Sequence, residues 1–362
     1  MKSVGTKILI TILVIAIIAV GILLAIKIVK DKNIIEVSNG ENTEKNGDIV
    51  VEVKEPQTFK GTERPIAVMI DNHKDALPQA NISKAYAVYE IIVEGGETRL
   101  MALFKGQDLD KIGPIRSSRH YFLDYALEND AIYVHFGFSP QAKNDIAKLG
   151  VNNINGLYES GTDFWRVKDK YAPHNAVTNT QTILKLAQKK GYRVTSDQKS
   201  VLNYVGEEFD LDSNIIANKV TIPYSTSNTV SYEYDENAKN YVRYTRKIKQ
   251  VDWNTEEVVT AKNIIITFAK NTTLNDGENK GRQTLDNVKT LDGYYITNGK
   301  AIKITCEKTT RSGQTIYKDL NGKEIEVNDG NTFFQICPID SKVTFEPGVI
   351  TEENTTTNTV NE

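Results

Sequence analysis

The chain has 362 residues, a formal net charge of −3 and two cysteines. Because the chain has no excess of basic residues, the sequence predicts no nucleic-acid partner. Cys306 and Cys337 have no CxxC or other zinc-ligand spacing, and we predict no metal site. Two possibilities stay open for the cysteines, a disulfide or two buried free thiols.

The first predicted element is an apolar segment at the N-terminus. Residues 8–26 are Ile, Leu, Val, Ala and Gly apart from Thr11, and a helix of about 20 such residues spans the hydrocarbon core of a bilayer. The segment does not end in the small-residue cleavage site of a signal peptide. We therefore predict a short tail over 1–7 and an uncleaved transmembrane signal anchor over 8–29. Lysines flank both ends of the anchor, so its charges do not decide its orientation.

Two polar stretches and two longer regions follow the anchor. Residues 30–62 include an Asn-, Gly- and Glu-rich run that cannot bury enough apolar surface to become ordered, and we predict a flexible tether there. A similar composition predicts a disordered tail over 349–362. The residues between them suffice for two ordinary domains. We predict one domain over 63–200 and a second over 219–348, with a connector over 201–218.

The first region alternates short apolar runs with helical patterns. The predicted strands cover residues 65–70, 85–93, 100–104 and 131–136. The predicted helices cover residues 117–128, 140–149 and 178–191. Such alternation predicts an α/β domain with a mixed sheet and flanking helices.

The second region has a different, β-rich pattern. Tyrosines recur at strand-like spacings after residue 220, and residues 263–268 (NIIITF) form a clear predicted strand. Three dipeptides typical of hairpin turns separate the later strand-like runs: Asn298-Gly299, Asn321-Gly322 and Asp329-Gly330. This pattern predicts a mostly antiparallel β domain.

All four histidines lie in the first region: His73, His120, His135 and His174. Several of them fall where predicted elements end, which is where binding sites form on α/β scaffolds. The alternative for each is a local polar contact without a role in binding. Their grouping makes them candidate ligand-binding residues.

A basic segment (GPIRSSRH) lies at the start of the first predicted helix. Helix N-termini attract anions through their free N–H groups. Arg116, Arg119 and His120 have the i, i+3, i+4 spacing of one helix face. The planar guanidinium of arginine suits phosphate and carboxylate groups. Together with Ser117 and Ser118, these residues predict an anion site.

Four carboxylates could complete such a site: Asp71, Glu90, Glu94 and Glu97. Glu90 interrupts an apolar strand, where an unpaired carboxylate is costly. We therefore expect an ion pair with an arginine such as Arg99 or Arg116, or else a catalytic or metal-binding role. The alternative to a ligand site is an internal network of ion pairs. No GxSxG, Walker, HExxH or GxGxxG motif occurs in a supporting context, so the catalytic residues stay unknown.

Seven stretches carry a family resemblance: residues 64–73 (RPIAVMIDNH), 89–90 (YE), 93–99 (VEGGETR), 112–119 (IGPIRSSR), 121–122 (YF), 131–135 (AIYVH) and 172–175 (APHN). In these stretches, and more faintly as far as residue 347, the chain resembles the YerB-type lipoproteins. Those are Gram-positive envelope proteins with two domains of unknown function. This chain lacks the lipobox cysteine, and the transmembrane helix takes the place of the lipid. The resemblance implies a single-pass protein of the cell membrane with its body outside the cell; it implies no activity and leaves any cofactor unknown.

Three functions are compatible with these features. In the first, the α/β domain binds an anionic or glycan ligand of the cell envelope, for example a lipid-linked one, or an envelope protein partner. In the second, the chain is a cell-wall polymer or phosphate-ester hydrolase or transferase that uses the Arg/Asp/Glu/His cluster. In the third, the chain is a scaffold whose polar clusters are internal ion pairs.

The candidate ligand-binding residues are Asp71, His73, Glu90, Glu94, Arg99, Arg116, Ser117, Ser118, Arg119, His120, His135 and His174. Convergence of these side chains on one open cleft would favour a ligand site. Burial in mutual pairs, or a scattered arrangement, would favour the scaffold.

Overall fold

The computed structural model describes residues 54–347 of the chain. The predicted N-terminal tail (1–7), the anchor (8–29), most of the tether and the C-terminal tail (349–362) lie outside these residues. Within the described range, no helix is both long enough and apolar enough to cross a bilayer.

The first half of the described chain combines short strands with three α-helices. The strands are β1 (Ile66–Asp71), β2 (Ala87–Ile92), β3 (Thr98–Phe104), β4 (Ile132–His135), β5 (Asn153–Asn155), β6 (Trp165–Arg166) and β7 (Ala176–Val177). The helices are α1 (Phe122–Glu128), α2 (Pro140–Lys148) and α3 (Thr180–Lys189). The predictions of α2 and α3 are confirmed. The side chains of Ser139 and Asn179 accept hydrogen bonds from backbone N–H groups of the first turns, which fixes where these two helices start.

The first helix is shorter than predicted. The sequence pattern predicts a helix over 117–128, but α1 begins only at Phe122. The basic segment before it is held beside the large sheet instead, because the N–H of Arg116 donates to the carbonyl of Met69 at 2.9 Å. Once these backbone groups bond to a strand, they cannot take part in a helical turn.

The second half of the described chain is made almost entirely of strands. They are β8 (Asn203–Val205), β9 (Ile215–Ile216), β10 (Lys219–Pro223), β11 (Thr229–Asp235), β12 (Asn240–Thr245), β13 (Ile248–Lys249), β14 (Thr260–Ala261), β15 (Asn263–Thr273), β16 (Gln283–Asp286), β17 (Thr290–Thr297), β18 (Lys300–Glu307), β19 (Ile316–Asp319), β20 (Glu326–Asn328), β21 (Thr332–Pro338) and β22 (Thr344–Glu346). Most of their pairings are antiparallel, as predicted.

The three predicted hairpin dipeptides differ in what they do. Asn298 and Gly299 have φ values of 47° and 75° and close the tight hairpin between β17 and β18, as predicted. Asn321-Gly322 turns the chain back alongside β19. The prediction for Asp329-Gly330 is wrong, because this dipeptide connects β20 to β21 and these two strands belong to different sheets.

A large mixed sheet runs through both halves of the described chain. Its strand order is β19-β18-β17-β15-β21-β2-β3-β1-β4-β5, with β16 paired to β15 and β9 paired to β18. Strand β21 lies between β15 and β2 and is parallel to both. Backbone hydrogen bonds therefore join the mixed sheet of the first region to the antiparallel-rich second region. The predicted domain boundaries, 63–200 and 219–348, stay a prediction.

The large sheet is covered on both faces. One face, with Val68, Ile70 and Leu100, packs against α3 and against a second sheet of order β13-β12-β11-β10-β22, in which β14 pairs with β12. The other face, with Met69 and Tyr89, packs against α1. Burial on both faces explains why β1 and β2 are apolar on both faces rather than alternating, apart from Asp71 at the end of β1 and the buried Glu90 in β2.

The two cysteines are free thiols on different strands. Cys306 lies on β18 and Cys337 on β21, and both are buried. Burial raises the pKa of Cys306 to about 12 and raises that of Cys337 as well. Thiols protonated in this way react poorly, so we assign them a packing role.

Candidate functional site

The candidate site is a cleft at the end of β1, which we call the β1 cleft. Four pieces of chain meet there: the end of β1, the connection between β2 and β3, the basic segment before α1, and the loop before β7. The cleft has a volume of about 200 Å³. It is lined by Asp71, His73, Val93, Glu94, Glu97, Thr98, Arg99, Arg116 and His174.

Backbone hydrogen bonds hold the basic segment in place. The N–H of Asp71, at the end of β1, donates to the carbonyl of Pro114 at 2.8 Å. On the other side of the segment, the N–H of Ile115 donates to the carbonyl of Ala176 at 2.6 Å, at the start of β7. The segment is thus wedged between two strands, which sets its arginine beside the carboxylate at the end of β1.

The turn between β2 and β3 requires its glycines. Gly95 and Gly96 have φ values of 69° and 75°, a region that residues with a side chain rarely adopt. A Cβ at Gly96 would also lie 2.7 Å from the Cβ of Ser225. The sharp turn directs the side chains of Glu94 and Glu97 to the cleft.

Asp71 is the centre of the hydrogen bonding in the cleft, and its side chain is only 4% exposed. Its Oδ2 accepts a hydrogen bond from His174 Nδ1 at 2.7 Å and lies 3.3 Å from Arg116 Nε. Its Oδ1 accepts a hydrogen bond from the backbone N–H of His73 at 3.1 Å. In the neutral His174 ring, a proton on Nδ1 leaves Nε2 without one. That nitrogen can accept a proton or bind a ligand.

The two histidines of the cleft are stacked. The ring centroids of His73 and His174 are 4.5 Å apart and the ring planes are 15° from parallel. His73 Nδ1 accepts a hydrogen bond from the N–H of Asp75 at 3.3 Å and lies 3.5 Å from its carboxylate Oδ2. Ligand atoms of these three residues lie within 4.8 Å of one another, so they could hold a metal ion.

Arg116 is the most open cation of the cleft. Its side chain is 25% exposed and forms a salt bridge with Asp71. Among residues 54–347, no group accepts a hydrogen bond from its guanidinium within good geometry. Most of its N–H donors are therefore available to a ligand.

Two further arginines surround Glu94. Arg119 lies behind the cleft and binds the Glu94 carboxylate through two hydrogen bonds of 2.5 and 2.9 Å. Arg99 Nη2 lies 3.6 Å from the same carboxylate, and Arg99 Nη1 donates to the carbonyl of Ser117. These contacts confirm an ion-pair network at this end of the sheet.

The charges of the network shift two pKa values. Burial, and after it the positive charge of Arg119, lower the pKa of Arg99 to about 10, and Arg116 acts in the same direction. Burial raises the pKa of Glu94, but the hydrogen bonds and charge of Arg119 outweigh burial and the net pKa is below 4.5. Burial is the main cause of the lowered pKa of Arg99, and the positive charges of Arg119 and Arg116 add to it; an incoming anion would offset this second part.

The rim of the cleft contains a residue that the sequence does not point to. Arg246 forms an ion pair with Glu97 and donates from Nη1 to the carbonyl of Asn72 at 3.0 Å. Arg246 and Lys247 form the tight turn between β12 and β13, with φ values of 50° and 65°. This turn lacks the Asn or Gly that usually marks one, so no local signal reveals it.

Glu90 lies outside the cleft and is fully buried. Its Oε2 accepts a hydrogen bond from Arg243 Nη2 at 2.6 Å, and its Oε1 accepts one from Thr98 Oγ1 at 2.7 Å. The expectation of an arginine partner is confirmed, although the partner comes from the second sheet and is neither Arg99 nor Arg116. Glu90 is part of an internal ion pair, as the scaffold hypothesis expects.

The prediction that the basic segment forms the start of a helix is wrong, while the anion site itself stays a prediction. Since α1 begins at Phe122, the residues Arg116, Arg119 and His120 precede the helix and do not share one of its faces. His120 points away from the β1 cleft, with its Nε2 3.1 Å from Oγ1 of Thr284.

Three further candidates have local contacts and do not line the cleft: Ser117, Ser118 and His135. The Oγ of Ser118 accepts a hydrogen bond from the hydroxyl of Tyr133 at 2.8 Å. His135 is fully buried, with its Nδ1 2.8 Å from the carbonyl of Gly137. Burial lowers the pKa of His135, so this ring is neutral at physiological pH.

The structure thus brings six of the twelve candidates to one cleft: Asp71, His73, Glu94, Arg99, Arg116 and His174. Their arrangement can bind an anion at the arginines, transfer a proton at His174 or hold a metal ion between the histidines. Whether they bind a ligand stays a prediction.

The fold and the site define a class: a protein with a mixed central sheet, an antiparallel-rich second region and a charged cleft at the end of an interior strand of that sheet. Residues 53–193 match the N-terminal domain, and residues 220–334 the C-terminal domain, of a protein family of unknown function, DUF3048. Over 292 residues the chain is 32% identical to "Putative lipoprotein YerB" of Bacillus subtilis (strain 168). The aligned residues cover 78% of this chain and 83% of that protein. The crystal structure of YerB protein from Bacillus subtilis superposes with a TM-score of 0.70 at 30% identity, over 78% of this chain and 94% of that one. The chain therefore belongs to the YerB-like family, as its motifs predicted.

Proposed function

We propose that the protein is anchored to the cell membrane, with its body outside the cell, and that its β1 cleft binds an anionic group of an envelope ligand. The observation that carries the proposal is Arg116: its guanidinium is a quarter exposed, lines the cleft and, among residues 54–347, has the Asp71 carboxylate as its one charged partner, at 3.3 Å from Nε. A guanidinium matches the geometry of phosphate and carboxylate groups and binds them through paired hydrogen bonds.

The carboxylates of the cleft do not repel such a ligand strongly, because each already has a partner. Glu94 is held by Arg119, and Glu97 by Arg246. The remaining carboxylate, Asp71, accepts a hydrogen bond from the ring of His174 as well as facing Arg116. The net attraction of the site therefore comes from its arginines.

The size of the cleft limits what it binds. A volume of about 200 Å³ is below the roughly 300–1,000 Å³ typical of pockets for drug-sized ligands. A single phosphate or carboxylate headgroup fits this space, whereas a glycan chain or a protein partner would contact mainly the rim. The cleft is therefore proposed to bind a single phosphate or carboxylate headgroup.

Two observations support the location. The relative from Bacillus subtilis is named a lipoprotein, and a lipoprotein is attached to a membrane through its lipid. This chain has the apolar segment 8–26 ahead of its family domains. The part of the predicted tether ahead of residue 54 would keep the cleft within several tens of Å of the membrane surface. Its last residues belong to the body, since the N–H groups of Gln57 and Thr58 donate to the carboxylate of Asp329.

The proposal predicts that removing the Arg116 guanidinium weakens anion binding. Inorganic phosphate and acetate, titrated separately into the full-length chain in mild detergent at constant ionic strength, report the affinity by calorimetry and show which anion is preferred. We expect Arg116→Ala to weaken binding by about 10- to 100-fold, since a hydrogen bond to a charged group contributes about 1.5–3 kcal/mol. The matched control is Arg193→Ala, whose side chain is 60% exposed and lies outside the cleft. Equal affinity in Arg116→Ala and in the wild type would contradict the proposal.

The Asp71–His174 hydrogen bond favours a second function, hydrolysis or transfer at a phosphate ester or cell-wall polymer. A carboxylate that orients Nδ1 leaves Nε2 as a general base, as in hydrolytic enzymes. Turnover of a phosphodiester probe that disappears in His174→Ala but persists in His120→Ala would favour this function over simple binding.

A further inference from the structure

We infer that His73, Asp75 and His174 form a binding site for a divalent transition-metal ion of the Zn²⁺ class. The site stands independently of the anion proposal, because its ligands do not include the arginines. His73 caps the short 3₁₀ turn after β1 (Lys74–Ala76), Asp75 lies within that turn, and His174 reaches them from the loop before β7. One ligand atom from each residue lies within 4.8 Å of those of the other two.

The spacing between His73 and Asp75 suits a common ion. Zinc binds imidazole nitrogen at about 2.0–2.1 Å and carboxylate oxygen at about 2.0–2.2 Å, so in tetrahedral geometry neighbouring ligand atoms lie about 3.3–3.5 Å apart. The distance from His73 Nδ1 to Asp75 Oδ2 is 3.5 Å. An ion on this nitrogen would replace the long hydrogen bond, 3.3 Å, from the N–H of Asp75 and the stacking of His73 on His174.

Asp71 supplies the support that metal-binding histidines usually have. Its Oδ2 accepts the hydrogen bond of His174 Nδ1 at 2.7 Å, which fixes the ring and presents Nε2 as the metal-binding atom. A carboxylate bonded to the far nitrogen of a ligating histidine orients the ring and raises its basicity. Asp71 itself is nearly buried and held from three sides, so it keeps the ring of His174 in place. The ring of His73 stacks on that of His174 with planes 15° from parallel, so the lone pairs of the two rings do not point at one ion in this conformation. On ion binding the His73 ring, which is a third exposed, therefore turns out of the stack.

The ligand types select the class of metal. Two imidazole nitrogens and one carboxylate favour Zn²⁺ and its neighbours over Mg²⁺ and Ca²⁺, which prefer oxygen ligands. Three protein ligands leave a fourth position open, as in catalytic zinc sites.

The surrounding charges allow an ion to bind. The carboxylates of Asp71 and Asp75 offset the charge of the ion, while Arg116, 3.3 Å from Asp71, opposes it. The side chain of His73 is 32% exposed and that of Asp75 is 61% exposed, so an ion can reach the site from solvent.

Metal titration of the full-length chain tests this inference. The chain is stripped of metal, freed of any histidine tag and kept in mild detergent and phosphate-free buffer. Zn²⁺ is titrated by calorimetry, and Co²⁺ is followed by visible absorption, which reports coordination number. We expect one ion per chain. Asp71→Asn should weaken Zn²⁺ binding by about 10- to 100-fold, as for other supporting carboxylates, and His73→Ala and His174→Ala by at least as much.

The control is His120→Ala, a histidine outside the cleft that contacts Thr284, and it should bind Zn²⁺ like the wild type. Circular dichroism of each variant checks that it is folded. We expect His73→Ala to disturb folding least, because the side chain of His73 is a third exposed. Absence of saturable binding at one ion per chain would overturn the inference, and so would wild-type affinity in the folded His73→Ala and His174→Ala variants. Either result leaves the anion proposal intact, because no anion ligand enters the experiment.

Discussion

Charged side chains in this protein have different roles according to what surrounds them. Glu90 and Arg243 are fully buried and pair with each other across the two sheets. A buried pair of this kind adds little net stability, but removing one partner alone is costly because the other charge is left uncompensated. Arg116 is different: it is partly exposed and can exchange part of its contact with Asp71 for a ligand.

A substitution at Glu94 tests the ion pairs that this residue forms with Arg119 and Arg99. Glu94→Gln should lower the free energy of unfolding at neutral pH by about 1–3 kcal/mol, because the amide leaves Arg119 and Arg99 without a carboxylate partner. The folded pKa of Glu94 lies below its ordinary 4.5. Its contribution is therefore complete above that pH and is lost as the pH falls through the folded pKa.

Urea unfolding of wild type and variant at a series of pH values measures this contribution. The difference in stability should be largest at neutral pH and shrink below about pH 4.5. The exposed Glu236→Gln is the control and should differ little from the wild type at any pH. A Glu94→Gln effect that is constant with pH would show that the carboxylate charge is not its cause.

The sequence identifies some residues of the cleft and misses others for a physical reason. Asp71 can be found because it ends an apolar strand, and His174 because it lies in a loop, and binding residues of α/β scaffolds commonly occupy such positions. Arg116 can be found because arginine next to serine at an element boundary suits an anion, although the helix invoked for it is wrong. Arg246 cannot be found, because its place at the rim depends on how the second sheet packs over the first.

Elements whose ends are fixed locally were predictable. Ser139 and Asn179 cap α2 and α3 with their own side chains, and the pattern of the local sequence is enough to place both helices. Strand β21 is the opposite case. It pairs in parallel with β2, more than 200 residues away in sequence (Ala87 opposite Thr332), and nothing in either strand specifies that partner. The conformation of the basic segment before α1 also depends on strands that are distant in sequence. For this reason the local pattern predicts too long a helix.

Strand β21 lies between β15 and β2 inside the large sheet, so a substitution that disturbs its packing should lower the free energy of unfolding strongly. Phe334 is 2% exposed, and its ring stacks on that of Tyr89 with centroids 4.2 Å apart. Phe334→Ala should lower the free energy of unfolding by about 3–5 kcal/mol, through lost burial and the cavity left behind. Ile339→Ala, just beyond the strand and 61% exposed, should change it by no more than about 0.5 kcal/mol. Similar small losses in both variants, measured by urea unfolding, would mean that β21 is not part of the core.

At the scale of the whole molecule, the β1 cleft depends on both halves of the described chain. The first half supplies its lining, while Arg246 from the second half holds Glu97 at its rim. Strand β21 ties the halves together next to β2, whose connection to β3 forms one wall. A ligand in the cleft should therefore stabilise the folded chain as a whole. A ligand that binds only the folded state adds about 2.7 kcal/mol when its concentration is a hundredfold above its Kd.

The most direct test of the anion site is therefore the stability of the full-length chain as phosphate replaces chloride at constant ionic strength. Phosphate also stabilises proteins in general by exclusion from their surface, and Arg116→Ala measures that general effect. We predict that the free energy of unfolding rises with phosphate more steeply in the wild type and in Arg193→Ala than in Arg116→Ala. An equal rise in all three proteins would contradict the assignment of the β1 cleft as an anion site.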